Sequence, residues 1–201
     1  MIPSIVVAAS GGGTNFQALI DAAAREELSV RFSGLIAGSE NAGAIKRAEK
    51  NGIPIFILPR QNDAAAEAQR MLDILEACKP DLIVLAGWLR KIPASVLKRY
   101  PDQIINIHPS LLPKFGGKGF YGLKVHEAVL EAGETESGCT VHMVNEAYDE
   151  GHVLGQRRIP VLPDDSPQSL ASRVLEQEHQ LYPACIRQLL QERVSKPNAI
   201  L

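Results

Sequence analysis

The stretch "DQIINIHPSLLPK", Asp102 to Lys114, decides the fold. Ile105 and Ile107 alternate with Asn106 and His108, a period of two that marks a strand and places amide and imidazole on one face at its C-terminal end. Pro109 stops the strand there. Upstream lie four comparable apolar runs, "SIVVAAS", "VRFSGLIAG", "GIPIFILP" and "PDLIVLAG". Helical patterns separate them: a stripe of Phe16, Leu19, Ile20 and Ala23, a segment through Ala48, and one from roughly Ala64 to Cys78. Strand and helix in turn predict an α/β fold with an open, mostly parallel, doubly wound sheet covered by helices on both faces. Downstream, the glycine-rich "FGGKGFYG" (Phe115 to Gly122) leads to a helix carrying Val125, Ala128, Val129 and Leu130. The period then changes. "GCTVHMVN" and "GHVLGQRRIPV", joined by "EAYDE", read as a C-terminal antiparallel extension of the sheet. Ser166-Pro167 starts a long C-terminal helix toward Val194, with Pro183 expected to kink or divide it.

A chain of 201 residues, 45% hydrophobic and 22% charged, suits one compact domain over 1–201. A net charge of −2 supplies no basic field for nucleic acid. No 18-residue apolar span and no basic leader precede the first strand, which predicts a cytoplasmic protein without a membrane partner. Cys78, Cys139 and Cys185 are scattered, without a CxxC, and read as core thiols.

Two places concentrate chemistry. "SGGGTNF" follows the first strand and opens the first helix, where free N–H groups and the helix dipole favour an anion. Gly12 and Gly13 let the backbone close on a phosphate, and Thr14 and Asn15 add donors. A dinucleotide fingerprint is the rival, but Phe16 stands where the third glycine belongs, and Glu40 falls 27 residues beyond Gly13, farther than the ribose-binding acid usually does. A purely structural turn is the plain alternative. The second place is the Asn106/His108 pair, at the sheet edge where open α/β folds bind ligands. An amide can donate to an oxyanion, and an imidazole can move a proton. Asp149 and Glu150 are candidates for a third group, although an acid before Gly151 is also an ordinary turn signal. The five histidines show no zinc-ligand spacing, HExxH is absent, and neither Ser10 nor Ser110 sits in a nucleophile elbow, so no metal and no serine nucleophile are expected.

"SGGGTN", "LAGWLRKI", "NIHPSLLPK", "YDEGHVLGQ" and "EQEHQLYP", taken in order, resemble the phosphoribosylglycinamide formyltransferases, members of the folate-dependent formyltransferase family with a Rossmann-like fold. The resemblance covers nearly the whole chain, and N-x-H-P-S-L-L-P is its most specific motif. It implies a one-carbon transferase of purine biosynthesis that uses 10-formyltetrahydrofolate as co-substrate and a ribotide amine as acceptor. The extra domains of the related transfer-RNA and hydrolase enzymes do not fit in 201 residues, and a monomer or homodimer is expected. By resemblance, Asn106, His108 and Asp149 are catalytic, which overrides the turn reading of Asp149. Gly12, Gly13, Thr14 and Asn15 hold the ribotide phosphate, and Glu178 meets the ribose. Leu89, Arg90, Lys91 and Ile92 line the folate cleft, with Val144, Asn145, Glu146, Ala147 and Tyr148 enclosing the pterin. Arg90 is expected to face a glutamyl carboxylate as a partly exposed ion pair. The segment Phe115 to Gly122 departs from the family pattern: it is longer, brings Lys118 and Tyr121, keeps His126 and lacks the histidine before it. Binding by the glycine loop alone, or formyl transfer to another amine such as an amino sugar nucleotide, are the alternatives to this reading.

Overall fold

The computed structural model describes residues 2–195. Residues 1 and 196–201 of the domain expected over 1–201 lie outside the described residues. The chain runs β1 (Ser4–Ala9), α1 (Thr14–Ala24), β2 (Arg31–Ala37), α2 (Ala44–Lys50), β3 (Ile55–Ile57), α3 (Ala64–Cys78), β4 (Leu82–Leu85), α4 (Ala94–Arg99), β5 (Ile104–His108), α5 (Leu123–Glu131), β6 (Glu136–Met143), β7 (Val153–Pro160) and α6 (Pro167–Ser195). The strands form one sheet in the order β3-β2-β1-β4-β5-β6-β7. Neighbours from β3 through β5 are parallel, while β6 and β7 are antiparallel additions.

The apolar runs explain this layering. β1 and β4 are buried at every position, which only a sheet covered on both faces can satisfy. Ile5, Val7 and Ala9 pack with α1, α2 and α6, whereas Val6 and Ala8 pack with α3 and α4. From β1 the chain builds outward to β3, and from β4 it builds the opposite way. The reversal opens a crevice above the C-terminal ends of β1 and β4, the position at which such sheets bind ligands. Ser10 bridges it: its N–H donates to the Gly87 carbonyl at 3.0 Å, and its hydroxyl accepts from Leu89 N–H at 3.4 Å.

Helix ends follow local chemistry. Asp63 caps α3 by accepting from the N–H groups of Ala65 and Ala66. At the start of α6, Ser166 and Ser169 cap each other, each hydroxyl accepting the other's backbone N–H. Pro183 does not divide α6. Its neighbours hold the helix to the sheet: Ile186 is fully buried, and the buried Tyr182 hydroxyl lies 2.9 and 3.2 Å from the carbonyls of Leu85 and Ile105. The short helix α4, between Pro93 and Tyr100, carries too little periodicity in six residues to be read from sequence.

Candidate active site

β5 delivers Asn106 and His108 to the crevice. Asn106 pairs with Leu85 of β4 on one side and with His142 of β6 on the other. His142 is buried, its Nδ1 is 2.8 Å from the Met143 carbonyl and its Nε2 is 3.2 Å from Asn106 Nδ2. A carbonyl can only accept, so Nδ1 carries the proton and Nε2 receives the Asn106 N–H. This orients the carboxamide and leaves its second N–H for a ligand. The same argument applies to His108, whose Nε2 is 2.8 Å from the Phe115 carbonyl. Its Nδ1 is therefore the basic nitrogen, and it faces Asp149 Oδ2 at 3.6 Å.

Asp149 sits in the loop between β6 and β7 with a left-handed φ of 57°. Gly151, two residues on, lets the loop return close against β6, because a Cβ there would run into the Met143 carbonyl. The carboxylate accepts from Gly117 N–H at 2.9 Å and lies 3.5 Å from His142 Nε2. Burial opposes its ionisation, but the neighbouring His142 and His108 and the Gly117 N–H outweigh burial and hold its pKa below the usual value. Burial also lowers the His108 pKa, against the opposing pull of Asp149 and the Phe115 carbonyl. At neutral pH the pair is a carboxylate facing an uncharged imidazole.

The segment after Pro109 is braced. Leu112 N–H donates to Thr140 Oγ1 at 3.1 Å, Thr140 donates to the Ser110 carbonyl at 2.7 Å, and Gln156 Nε2 donates to both Leu112 O and Thr140 Oγ1. Leaving such a buried donor unpaired costs about 1–3 kcal/mol. Side chains from β6 and β7, besides the prolines, thus fix the ground on which His108 stands.

These groups open into a cleft of about 720 Å³ with two walls. One comprises Trp88 to Ile92 after β4 together with Val144, Asn145, Ala147 and Tyr148. Trp88 and Ile92 belong to the α3–α4 layer, with Val144 packed against it. The other wall comprises Gly11 and Asn15, Leu123 and His126 of α5, and Ala171, Leu175 and Glu178 of α6. Glu178 is buried and receives a hydrogen bond from Asn15 Nδ2 at 2.5 Å; burial pushes its pKa up to about 7, against that bond.

Of the residues named from sequence, Asn15, Leu89, Arg90, Lys91, Ile92, Asn106, His108, Val144, Asn145, Ala147, Tyr148, Asp149 and Glu178 line this cleft. Gly12, Gly13, Thr14 and Glu146 do not. Gly13 is nonetheless required: its φ is 71°, and a Cβ would approach Ala44 to 2.8 Å. Arg90 also has partners within the protein. Its guanidinium is held by Glu67 at 2.7 Å and the Leu58 carbonyl at 2.6 Å, 4.2 Å above the Trp88 ring, because α3 brings a carboxylate under this loop. Lys91, exposed near the Tyr148 ring, is the cation on this wall that faces solvent. His142 was missed, although "GCTVHMVN" puts it on the strand predicted to extend the sheet. Which residue it would oppose depends on register, and that only the fold fixes. Among the described residues no group of three or more His, Cys, Asp or Glu has metal-binding geometry.

Residues 4–186 match the formyl transferase family. The chain belongs to this family. It is 41% identical over 192 residues to the chloroplastic phosphoribosylglycinamide formyltransferase of Vigna unguiculata, covering 94% of this chain and 62% of that one. The Arabidopsis thaliana protein of the same name is 39% identical, with 66% of its length covered, so the chain spans less than two thirds of these plant relatives. The Haemophilus influenzae phosphoribosylglycinamide formyltransferase is 35% identical, with 94% of this chain and 88% of that one matched. Among solved structures, glycinamide ribonucleotide transformylase 1 of Symbiobacterium toebii superposes with a TM-score of 0.89 at 34% identity, covering 96% of this chain and 89% of that one. Such agreement extends the formyl transferase fold through the antiparallel strands and α6.

Proposed function

We propose that this chain transfers the formyl group of 10-formyltetrahydrofolate to the amine of 5'-phosphoribosylglycinamide, in the cytoplasm and as a single domain working as a monomer or homodimer. One observation carries the reading: Asn106, His108 and Asp149 converge, through His142 and the Phe115–Gly117 backbone, between two chemically different walls of one cleft. The names of the matched relatives support the acceptor. No helix among the described residues is long and apolar enough to cross a membrane.

The reaction joins the acceptor nitrogen to the formyl carbon and breaks the bond from that carbon to folate N10. Attack turns the formyl oxygen into an oxyanion, toward which Asn106 directs its second amide N–H. Because His108 already donates Nε2–H to Phe115, its basic Nδ1 takes up the proton released by the amine. Asp149, 3.6 Å away, then stabilises the imidazolium. As N10 leaves, it receives that proton, so the amine loses and the folate gains one hydrogen. The glycine loop and Glu178 bind the ribotide, and the wall after β4 binds the folate.

The test is turnover of 10-formyltetrahydrofolate with and without glycinamide ribonucleotide, followed by the absorbance of the deformylated folate. Turnover strictly dependent on the ribotide is expected. Equal hydrolysis without acceptor, or no turnover with it, overturns the assignment.

A further inference from the structure

A ribotide presents a phosphomonoester with about −1.5 to −2 charges at neutral pH, and the cleft is not uniformly supplied with cations to meet it. Arg90, Lys91 and Lys118 are the three that line it among the described residues. The first two stand on the wall after β4, where Glu67 already neutralises Arg90. On the opposite wall α6 presents Ala171, Leu175 and Glu178, α1 presents Asn15, and α5 presents Leu123 and His126, none of them a permanent cation. Arg47 stands near the glycine loop but outside the cleft lining, with its guanidinium held by the Gly12 carbonyl at 2.8 Å and Gln17 at 3.1 Å.

Lys118 is different. It is exposed at the cleft mouth, and no ion pair ties it to another described residue. Its loop runs into α5, which packs on α6. Gly117, Gly119 and Gly122 hold φ values of 92°, 101° and 56°, and a Cβ at any of them would meet nothing within 4 Å. These glycines therefore serve backbone shape and not space, and they carry the lysine over the cleft. Two buried polar atoms on this wall, Asn15 Oδ1 and His126 Nδ1, have no partner, which marks the wall as built for a polar ligand.

We infer that Lys118 is the specificity residue for the phosphate of the acceptor, pairing with the dianion that the glycine loop and the α1 N-terminus also receive. The inference rests on the functional reading above. Gly117 N–H holds Asp149, so the loop that senses the phosphate begins beside the catalytic carboxylate.

Steady-state kinetics of Lys118→Met and Lys118→Arg test it, with glycinamide ribonucleotide and with the corresponding riboside lacking the phosphate. Lys118→Met should raise the ribotide KM about tenfold, equivalent to about 1.4 kcal/mol, with kcat and the folate KM near wild type. The riboside should be used equally poorly by both proteins, and Lys118→Arg should restore most of the ribotide affinity. A ribotide KM within twofold of wild type, or equal losses for ribotide and riboside, overturns the role of Lys118 alone. A wild-type protein that turns over folate but ignores the ribotide overturns the functional reading and the lysine's role with it.

Discussion

The two walls of the cleft solve different problems. The wall after β4 is mostly apolar: Arg90 is fixed between Glu67, Leu58 and Trp88, and Leu89 and Tyr148 stand exposed at the rim. Its one buried open polar atom is Trp88 Nε1. The opposite wall keeps Asn15 Oδ1 and His126 Nδ1 unpartnered and buries the carboxyl of Glu178. A flat heteroaromatic gains from the first wall by burial, while a hydroxylated phosphate ester gains from the second by hydrogen bonding. The difference teaches that the fold sorts two substrates by layer, and that catalysis belongs at the seam.

The largest expected effect breaks the seam itself. Asn106→Ala, which removes a donor aimed at the developing oxyanion, should lower kcat and kcat/KM together by about 10²–10³, and His108→Ala, which removes the general base, by about 10²–10⁴, while direct binding of each substrate stays near wild type. Asp149→Asn should also collapse turnover. Because Asp149 acts on the proton held by His108, the double variant with His108→Ala should lose less than the product of the single losses. Strictly multiplicative losses, or a His108→Ala protein with near-normal kcat, would remove catalysis from the seam.

How much of this was legible in the sequence depended on distance along the chain. Alternation in "QIINIHP" and the glycines after the first strand are local signals, so the parallel sheet and the placement of Asn106, His108 and Asn15 followed from them. Asp149 looked like a turn residue because its partners, Gly117 and the two histidines, lie far away in sequence; only the family motif pointed to it. His142 and the bracing by Thr140 and Gln156 depend on antiparallel register, which no single strand encodes. The pairing of Arg90 with Glu67 is not legible along the loop, because that carboxylate lies on another layer. Pro183 leaves α6 undivided, because packing of Tyr182 and Ile186 outweighs a local breaker.

A smaller effect sharpens the polar wall through pH. Burial raises the Glu178 pKa from 4.5 to about 7, so the folded chain keeps a proton that the unfolded chain has already released in that interval. Its contribution to stability is present in full below pH 4.5 and is lost as pH rises through about 7, a change of about 3 kcal/mol. His126 has the opposite sign, since burial and the neighbouring His108 lower its pKa from 6.5 to about 4. Its contribution is present above pH 6.5 and is lost as pH falls through about 4. Glu178→Gln keeps a neutral partner for Asn15 and removes one of these opposing slopes. Urea unfolding across pH 5 to 8 should then show stability that no longer declines toward pH 8 and exceeds wild type there. An unchanged slope would mean that Glu178 is solvated like a surface carboxylate.

The smallest effect concerns the apolar wall and separates Arg90 from Lys91. Arg90 is structural by its contacts, so Arg90→Ala should lower unfolding stability by about 1.5–3 kcal/mol, in the range of hydrogen bonds to charged groups, and raise the folate KM less than tenfold with kcat intact. Arg90→Lys should recover only part of the stability, because an ammonium cannot reach Glu67 and the Leu58 carbonyl with one planar fork. Lys91 is exposed, and a carboxylate of the folate tail would meet it as a solvent-screened pair contributing at most about 1 kcal/mol. Lys91→Met should therefore leave stability unchanged, raise the folate KM a few-fold, and abolish most of its salt dependence. If salt dependence survives in Lys91→Met and disappears in Arg90→Ala, then Arg90 leaves Glu67 when folate binds, and this wall is rearranged by its ligand instead of being preformed for it.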